Sequence, residues 1–283
     1  MRPTCLSRRQ QPGPRFSRTT RVAIRAAEIA GRVQLDLYGR ARVSWKGPGN
    51  PVTLADRRGE REARALLRSR FPSWAILGEE EGAAGRADHR WLIDPLDGTI
   101  NYVHGVPHFG SAIALEVADV PRLGVIFDPM LGELFVAEAG KGAWMRVGRA
   151  LRGHRETWQR LRVSGVAALS EALLATCSHE MPRDIGNRAH IGQFSAKAHR
   201  VYTIGSAALE LAWVASGRLD GFWEACLPPW DTLAGALLVR EAGGRVSDFS
   251  GEDWYRDAKQ VVVSNGRLHE AILAELRRHR YGW

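Results

Sequence analysis

The chain has 283 residues, 45% of them hydrophobic and 25% charged, the balance of an ordinary soluble globular protein with material for one large domain or two smaller ones. No apolar run approaches the roughly 20 residues that span a bilayer, which argues against a membrane role. The formal net charge is +9, and three cysteines (Cys5, Cys177, Cys226) without metal-like spacing argue against disulfides and for a reducing, cytoplasmic setting.

The basic excess is concentrated at the start, where Arg2, Arg8, Arg9, Arg15, Arg18, Arg21 and Arg25 all precede the first acid, Glu28. A transit peptide, an over-extended start and a basic tail share this composition, and no apolar stretch of a secretory signal follows. The reading adopted is a disordered basic tail over residues 1–17. From Thr20 to Tyr38 apolar residues recur at helical spacing, with Thr20 as N-cap and Gly39 as stop. A second helix is expected over 54–70, ending before Phe71-Pro72 because a residue preceding proline avoids the helical region.

The period then changes. Residues 74–77, 90–93, 111–117, 123–127 and 133–137 read as short strands between Gly, Pro and Asp, so the first half, 18–146, is expected to be α+β. The polar, Arg-rich stretch Arg146 to Arg162 is expected as a linker or surface loop. Beyond it, strands at 172–176, 219–223 and 260–263 alternate with helices at 205–216, 231–242 and 268–278. That alternation indicates an α/β second half over 147–283, with the site at the interface of the two.

Four places put acids in loops beside strand ends or at helix starts: Asp56, Glu79 with Glu80 and Glu81, the Asp94/Asp97 turn, and Asp231. A lone acid of this kind is usually a solvated carboxylate or a helix cap. The turn Trp91-Leu92-Ile93-Asp94-Pro95-Leu96-Asp97-Gly98-Thr99-Ile100-Asn101 resists that reading. Two carboxylates this close repel unless one holds a proton or a cation lies between them. Carboxylate oxygens suit Mg²⁺, Ca²⁺ or Mn²⁺, and magnesium is commonly shared with substrate phosphate. Backbone N–H groups at Gly98 and Thr99, if a helix or tight turn starts there, would face an anion.

Glu79 within Gly78-Glu79-Glu80, the Asp94-Pro95-Leu96-Asp97-Gly98-Thr99 turn, and Trp230-Asp231-Thr232-Leu233-Ala234-Gly235 leading to Glu241-Ala242-Gly243-Gly244 together resemble the successive signatures of the inositol monophosphatase family. Val52-Thr53 with Asp56, and Val103-His104-Gly105 with Pro107-His108-Phe109, extend the match, which runs from about Val22 to the C-terminus. Three motifs in the right order are far more specific than a single D-x-x-D.

The resemblance implies an α/β fold, a layered α/β/α/β/α sandwich of the inositol monophosphatase and fructose-1,6-bisphosphatase type, and Mg²⁺-dependent, lithium-sensitive hydrolysis of a phosphate monoester by a homodimer. By its implication Glu79, Asp94 and the Leu96 carbonyl hold one Mg²⁺, while Asp94, Asp97 and Asp231 hold a second. Glu79 helps with a third. Thr99, paired with Asp56, orients the attacking water; Gly98 and Thr99 contact phosphate; Asp97, Ser206, Ala207 and Glu224 lie near the substrate alcohol. His104 and His108 are expected as packed or loop histidines, since Mg²⁺ prefers oxygen.

Departures from the family pattern are Asn50, where many relatives carry aspartate, and Ile100, which replaces a frequent threonine. The expected activity is inositol-1-monophosphatase, with fructose-1,6-bisphosphatase and histidinol-phosphatase as alternatives on the same fold. Phosphoadenosine phosphatase is disfavoured with the histidinol enzyme by Ile100-Asn101. A second class, an RNA- or transcription-associated regulatory module, is motivated by the net charge and the Arg-rich start.

Overall fold

The computed structural model describes residues 13–40, 42–47, 49–147, 157–177, 185–254 and 258–278. The first helix, α1 (Arg18–Leu37), starts at Ser17, whose hydroxyl accepts the Thr20 N–H at 3.1 Å. Ser17 is therefore the cap, and Thr20 lies buried in the first turn. Phe16 packs edge-on against Trp158 with centroids 5.0 Å apart, so the end of the stretch assigned to the tail belongs to the folded unit. Residues 1–12 of that tail lie outside the described residues.

A hairpin of β1 (Val43–Gly47) and β2 (Asn50–Thr53) leads into α2 (Leu54–Arg70), where Thr53 and Asp56 form a capping box. Next come β3 (Ala75–Gly78), β4 (Gly82–Ala84), β5 (His89–Asp97), the short α3 (Thr99–Val103), β6 (Gly110–Val117), β7 (Val120–Asp128), β8 (Glu133–Glu138), β9 (Gly142–Val147) and β10 (Thr157–Arg160). The second half contains β11 (Leu173–Ala175), α4 (Ile185–Ser195), β12 (Arg200–Tyr202), α5 (Ala207–Ala215), β13 (Gly221–Ala225), α6 (Pro229–Glu241), β14 (Arg245–Ser247), β15 (Gln260–Ser264) and α7 (His269–Leu276).

The strands form an eight-stranded sheet, ordered β10-β9-β8-β7-β6-β5-β3-β4, and a five-stranded sheet, ordered β12-β11-β13-β15-β14. Thr157 to Arg160 pair antiparallel with Trp144 to Val147, so part of the stretch expected as a linker is an edge strand of the first sheet. Residues 148–156 lie outside the described residues.

Both sheets are buried on both faces, and the two-residue strand period sorts their side chains. Trp91, Ile93, Ile113, Val125 and Val136 face Ala23, Ala27, Ala63 and Leu67 of α1 and α2. Their neighbours Leu92, Ala114, Ile126 and Phe135 face α5 and α6, which also receive Phe222 and Val263 from the second sheet. Trp223 and Val262 point outward to Phe194 of α4 and to Ile272 and Leu273 of α7. The order is α1α2, sheet, α5α6, sheet, α4α7, a five-layer α/β/α/β/α sandwich. Small residues bring the layers close: a Cβ on Gly124 would stand 2.6 Å from the Ala234 carbonyl oxygen, so α6 rests on bare strand backbone.

Candidate active site

Strand β5 carries the acids, and a bulge aims them. Asp94 pairs with Ala112 of β6 and Asp97 with Gly110, leaving Pro95 and Leu96 opposite the single residue Ser111. In a regular strand positions three apart face opposite sides; one extra residue restores the same side. The carbonyl freed at Pro95 is not left bare. Gln34 of α1 donates Nε2 to Pro95 O at 2.6 Å and to Gly110 O at 3.0 Å, and Tyr102 donates its hydroxyl to Gln34 O at 2.8 Å.

Glu79 leaves the parallel neighbour β3, its N–H donating to Ile93 O at 3.2 Å, which brings it beside Asp94. Asp231 arrives from the first turn of α6 and lies close to Asp94. Asp97 points the other way along the site. Its Oδ2 accepts the Ala208 N–H at 2.8 Å and the Ser206 hydroxyl, so it caps α5 from a distant strand.

Thr99 opens α3, and its hydroxyl donates to Asp56 Oδ1 and to Leu96 O, each at 3.0 Å. Asp56 Oδ2 accepts the Thr53 N–H at 2.7 Å and the Thr53 hydroxyl at 2.6 Å. Asp56 is thus both the helix cap of the cautious reading and the partner of Thr99. Gly98, at φ +89°, has no room for a side chain: a Cβ would lie 3.0 Å from His108 O and 3.3 Å from Gly205 O.

Glu224, on β13, is buried, with Oε2 accepting the Cys177 N–H at 2.6 Å and the Thr176 hydroxyl at 3.1 Å. The structure brings Asp56, Glu79, Asp94, Leu96, Asp97, Gly98, Thr99 and Asp231 together around one turn. Ser206 and Ala207 adjoin them through Asp97, and Glu224 joins through Cys177 and Glu210 rather than directly.

Burial, more than crowding, raises these carboxyls. Burial pushes Asp94 well above the usual carboxylate range, with the Glu79, Asp231 and Asp97 charges adding to the rise. Asp231 is raised in the same way, by burial and then by Asp97 and Glu79. Burial carries Glu79 up to about 7 against the pull of Lys46, and Asp97 up to about 6 against its helix-end hydrogen bonds. Lys46 of β1 reaches in, with Nζ 3.1 Å from Glu79 Oε1 and in contact with Glu80. Burial would lower its pKa, but the two glutamates raise it.

The residue set fits a hard divalent cation: all its donors are carboxylate or carbonyl oxygens, and bringing in positive charge would favour the ionised form of four acids that burial raises, and would relieve the repulsion that adds to the rise at Glu79, Asp94 and Asp231. Among the described residues no three acids, histidines or cysteines already form a finished ligand cage. Glu79 is turned to Lys46 and Asp231 to Asp94, so a cation would draw these side chains inward.

The inositol monophosphatase family profile matches residues 16–281. The chain belongs to the inositol monophosphatase family. It is 41% identical over 269 residues to the inositol-1-monophosphatase of Mesorhizobium japonicum, covering 91% of this chain and 95% of that one. It is 40% identical over 276 residues, with the same coverages, to the protein named Nus factor SuhB of Pseudomonas aeruginosa. Among solved structures, the extragenic suppressor protein suhB of Bartonella henselae superposes with a TM-score of 0.86 at 36% identity, over 93% of this chain and all of that one.

Some family-motif residues turn out to be framework. Glu241 accepts the Gly140 and Gly142 N–H groups at 2.7 Å each, tying the β8–β9 turn to the end of α6. His108 packs against Trp213 with centroids 4.9 Å apart, and burial lowers its pKa to about 4, in keeping with a packed histidine.

Three residues that the sequence reading did not single out support the site. Glu60 lies buried beneath the Glu79 turn, accepting the Glu80 and Glu81 N–H groups at 2.7 and 3.0 Å and the Arg64 Nε at 2.7 Å. Gln34 holds the bulge, and Glu210 holds the start of α5. Gln34 and Glu210 are polar within faces that are otherwise apolar, the one signal available in the sequence, whereas Glu60 is masked by Arg64 at helical spacing.

Proposed function

We propose that the protein is a Mg²⁺-dependent phosphate monoester hydrolase acting on a small polyol phosphate, with inositol-1-phosphate the first expectation. The carrying observation is the convergence of Glu79, Asp94, Asp97 and Asp231 beside the Thr99–Asp56 pair. In this reading Glu79, Asp94 and the Leu96 carbonyl hold one cation and Asp94, Asp97 and Asp231 a second, with Asp94 common to both. When bound, such cations lower the pKa of a water and neutralise phosphate charge.

The chain's own residues do the rest. Thr99 spends its single hydroxyl proton on Asp56 and Leu96 O, so towards a water it can only accept. That turns the water's proton to Thr99 and its lone pair to phosphorus. The Gly98 and Thr99 N–H groups, at the start of α3, point at the phosphate oxygens. Ser206, Ala207 and Glu224 form the wall against the alcohol. Lithium inhibition, a homodimer and a cytoplasmic setting accompany this reading, and no described helix is long and apolar enough to cross a membrane.

The test is phosphate release with Mg²⁺ from inositol-1-phosphate, fructose bisphosphate, histidinol phosphate and glycerol phosphate, ranked by kcat/KM. Asp94→Asn should lower turnover by orders of magnitude; near-normal activity in that variant would sink the assignment. Fructose-1,6-bisphosphatase and histidinol-phosphatase remain the alternatives on the same fold, and the panel separates them.

A second reading, a regulatory module that contacts nucleic acid, draws on one observation besides the SuhB relatives. Residues 18–70 carry thirteen Lys and Arg against five Asp and Glu, whereas 71–283 are net −3. The positive charge is therefore gathered on the outer α1–α2 side of the first sheet, and RNA affinity that falls steeply with salt would support a partner there.

A further inference from the structure

Glu210 lies in α5 between Leu209 and Leu211 and is fully buried. A carboxyl in that setting must have its oxygens bonded, and its partners lie outside its own helix. Oε1 accepts the N–H groups of Ile204 and Gly205, both at 3.1 Å, and Oε2 accepts the Cys177 thiol at 3.4 Å.

Those contacts reach both ends of the site. The Ile204 carbonyl, on the other side of the same backbone, accepts Asn101 Nδ2 at 2.7 Å. The Gly205 carbonyl lies against the place where a Gly98 side chain would stand. The next residue, Ser206, gives its hydroxyl to Asp97. Cys177 passes its own N–H to Glu224 at 2.6 Å. The chain of contacts runs from Asn101 in the phosphate turn, through Glu210, to Glu224 on the alcohol side.

We propose that Glu210 is a positioning residue: its two oxygens hold the Ile204-Gly205 backbone and the Cys177 thiol, and so fix Ser206 and Ala207 as a preformed wall for the substrate alcohol. The proposal rests on the phosphatase reading of the site. Glu210 touches neither Thr99 nor Asp56, so its effect belongs in substrate binding more than in the attack on phosphorus.

Three variants of the full-length protein test it. Glu210→Gln keeps an oxygen facing the two N–H groups and presents its amide to Cys177, whose sulfur can accept instead of donate. Glu210→Asp keeps the carboxyl but is one methylene short. Glu210→Ala removes the group.

With inositol-1-phosphate and Mg²⁺, KM should rise about tenfold in the Asp and Ala variants, with kcat within about threefold, while Gln stays within about twofold of the parent on both. Amide hydrogen exchange at Ile204 and Gly205 should accelerate at least about tenfold in Asp and Ala and remain unchanged in Gln. If the Ala variant does not fold, the Asp and Gln pair decides.

A Gln variant as impaired as Asp would overturn the proposal, since an oxygen held within reach of the two N–H groups would then not be what matters. An unmoved KM in the Asp variant of an active enzyme would overturn it alone. No turnover of inositol-1-phosphate or the rest of the panel by the parent protein would overturn the phosphatase reading and this proposal with it.

Discussion

Thr99 and Asp56, 43 residues apart in the chain, meet through a 3.0 Å hydrogen bond from the threonine hydroxyl to Oδ1, while the other oxygen of Asp56 caps the helix that carries it. The rotor of Thr99 is therefore set by the N-terminus of α2, and the water-facing side of its oxygen is left with lone pairs only. Burial raises the Asp56 pKa against the hydrogen bonds from Thr53 and Thr99 that favour the carboxylate.

Removing that hydroxyl should cost catalysis more than binding. Thr99→Ala is expected to lower kcat by about 100- to 1,000-fold with KM within about threefold, and Thr99→Ser to stay within about tenfold of the parent, because a serine hydroxyl can make the same bond. Steady-state kinetics at saturating Mg²⁺ checks this, and equal losses in the two variants would argue against the hydroxyl as the active group.

Much of this arrangement was legible in the sequence, and the remainder was hidden for physical reasons. Helices α1 and α2 and strands β5 to β8 carry long, clean periodicities, and the Asp94-to-Thr99 turn announces itself by crowding charge beside proline and glycine. The β1–β2 hairpin has no apolar alternation, since its first strand is solvent-exposed over Val43 to Lys46. Strand β10 sits in a basic, polar stretch and is held by pairing to β9 and by the single packed side chain of Trp158, too little to show as a period. The bulge at Pro95 and Leu96 depends on the register of β6, which no local pattern encodes. Glu60 and Arg64 look like an ordinary surface pair at helical spacing; only the fold buries them under the Glu79 turn.

The raised carboxyls predict how the metal-free protein responds to pH. Glu79 at about 7 and Asp97 at about 6, with Asp94 and Asp231 raised further, hold protons in the folded state that the unfolded chain releases. Their contribution is fully present below the unfolded carboxylate range near about pH 4 and is lost as pH rises through about 6 to 7. Chelator-treated protein should therefore melt at a lower temperature at pH 8 than at pH 5, and adding Mg²⁺ should restore the loss mainly at pH 8. Thermal melts at the two pH values, with and without the ion, decide it; a metal-free protein most stable at pH 8 would contradict the assigned crowding.

Glu60 should be a stability residue with a functional signature. Its carboxylate is fully buried beside Arg64, so Glu60→Ala takes from the buried guanidinium its close partner, leaving it the Glu81 carboxylate at 3.6 Å and the Gly82 carbonyl, and leaves the Glu80 and Glu81 N–H groups without their acceptor. A loss of about 3–5 kcal/mol is expected from breaking such a pair. Denaturant unfolding measures that term, and titration of activity with Mg²⁺ should show a higher half-saturating concentration, because the turn that aims Glu79 is no longer held. A loss below about 1 kcal/mol would mean that the pair is replaceable by the surrounding packing.

Gly98→Ala probes the tightest point of the site. The backbone there is left-handed, at φ +89° and ψ 36°, and a methyl group would press on the His108 carbonyl at 3.0 Å. That carbonyl already accepts Asn101 Nδ2 at 2.8 Å, so it cannot retreat without loosening the bond that ties α3 to the strand beyond it. Strain and crowding together should cost about 1–3 kcal/mol of stability. The turn also carries Thr99 and lies against Gly205, so a displacement of about 1 Å should lower kcat/KM by about 100-fold. Unfolding and kinetics measured on the same sample separate the two effects: an alanine variant that loses stability but keeps its kcat/KM would show that the turn can relax without moving the threonine.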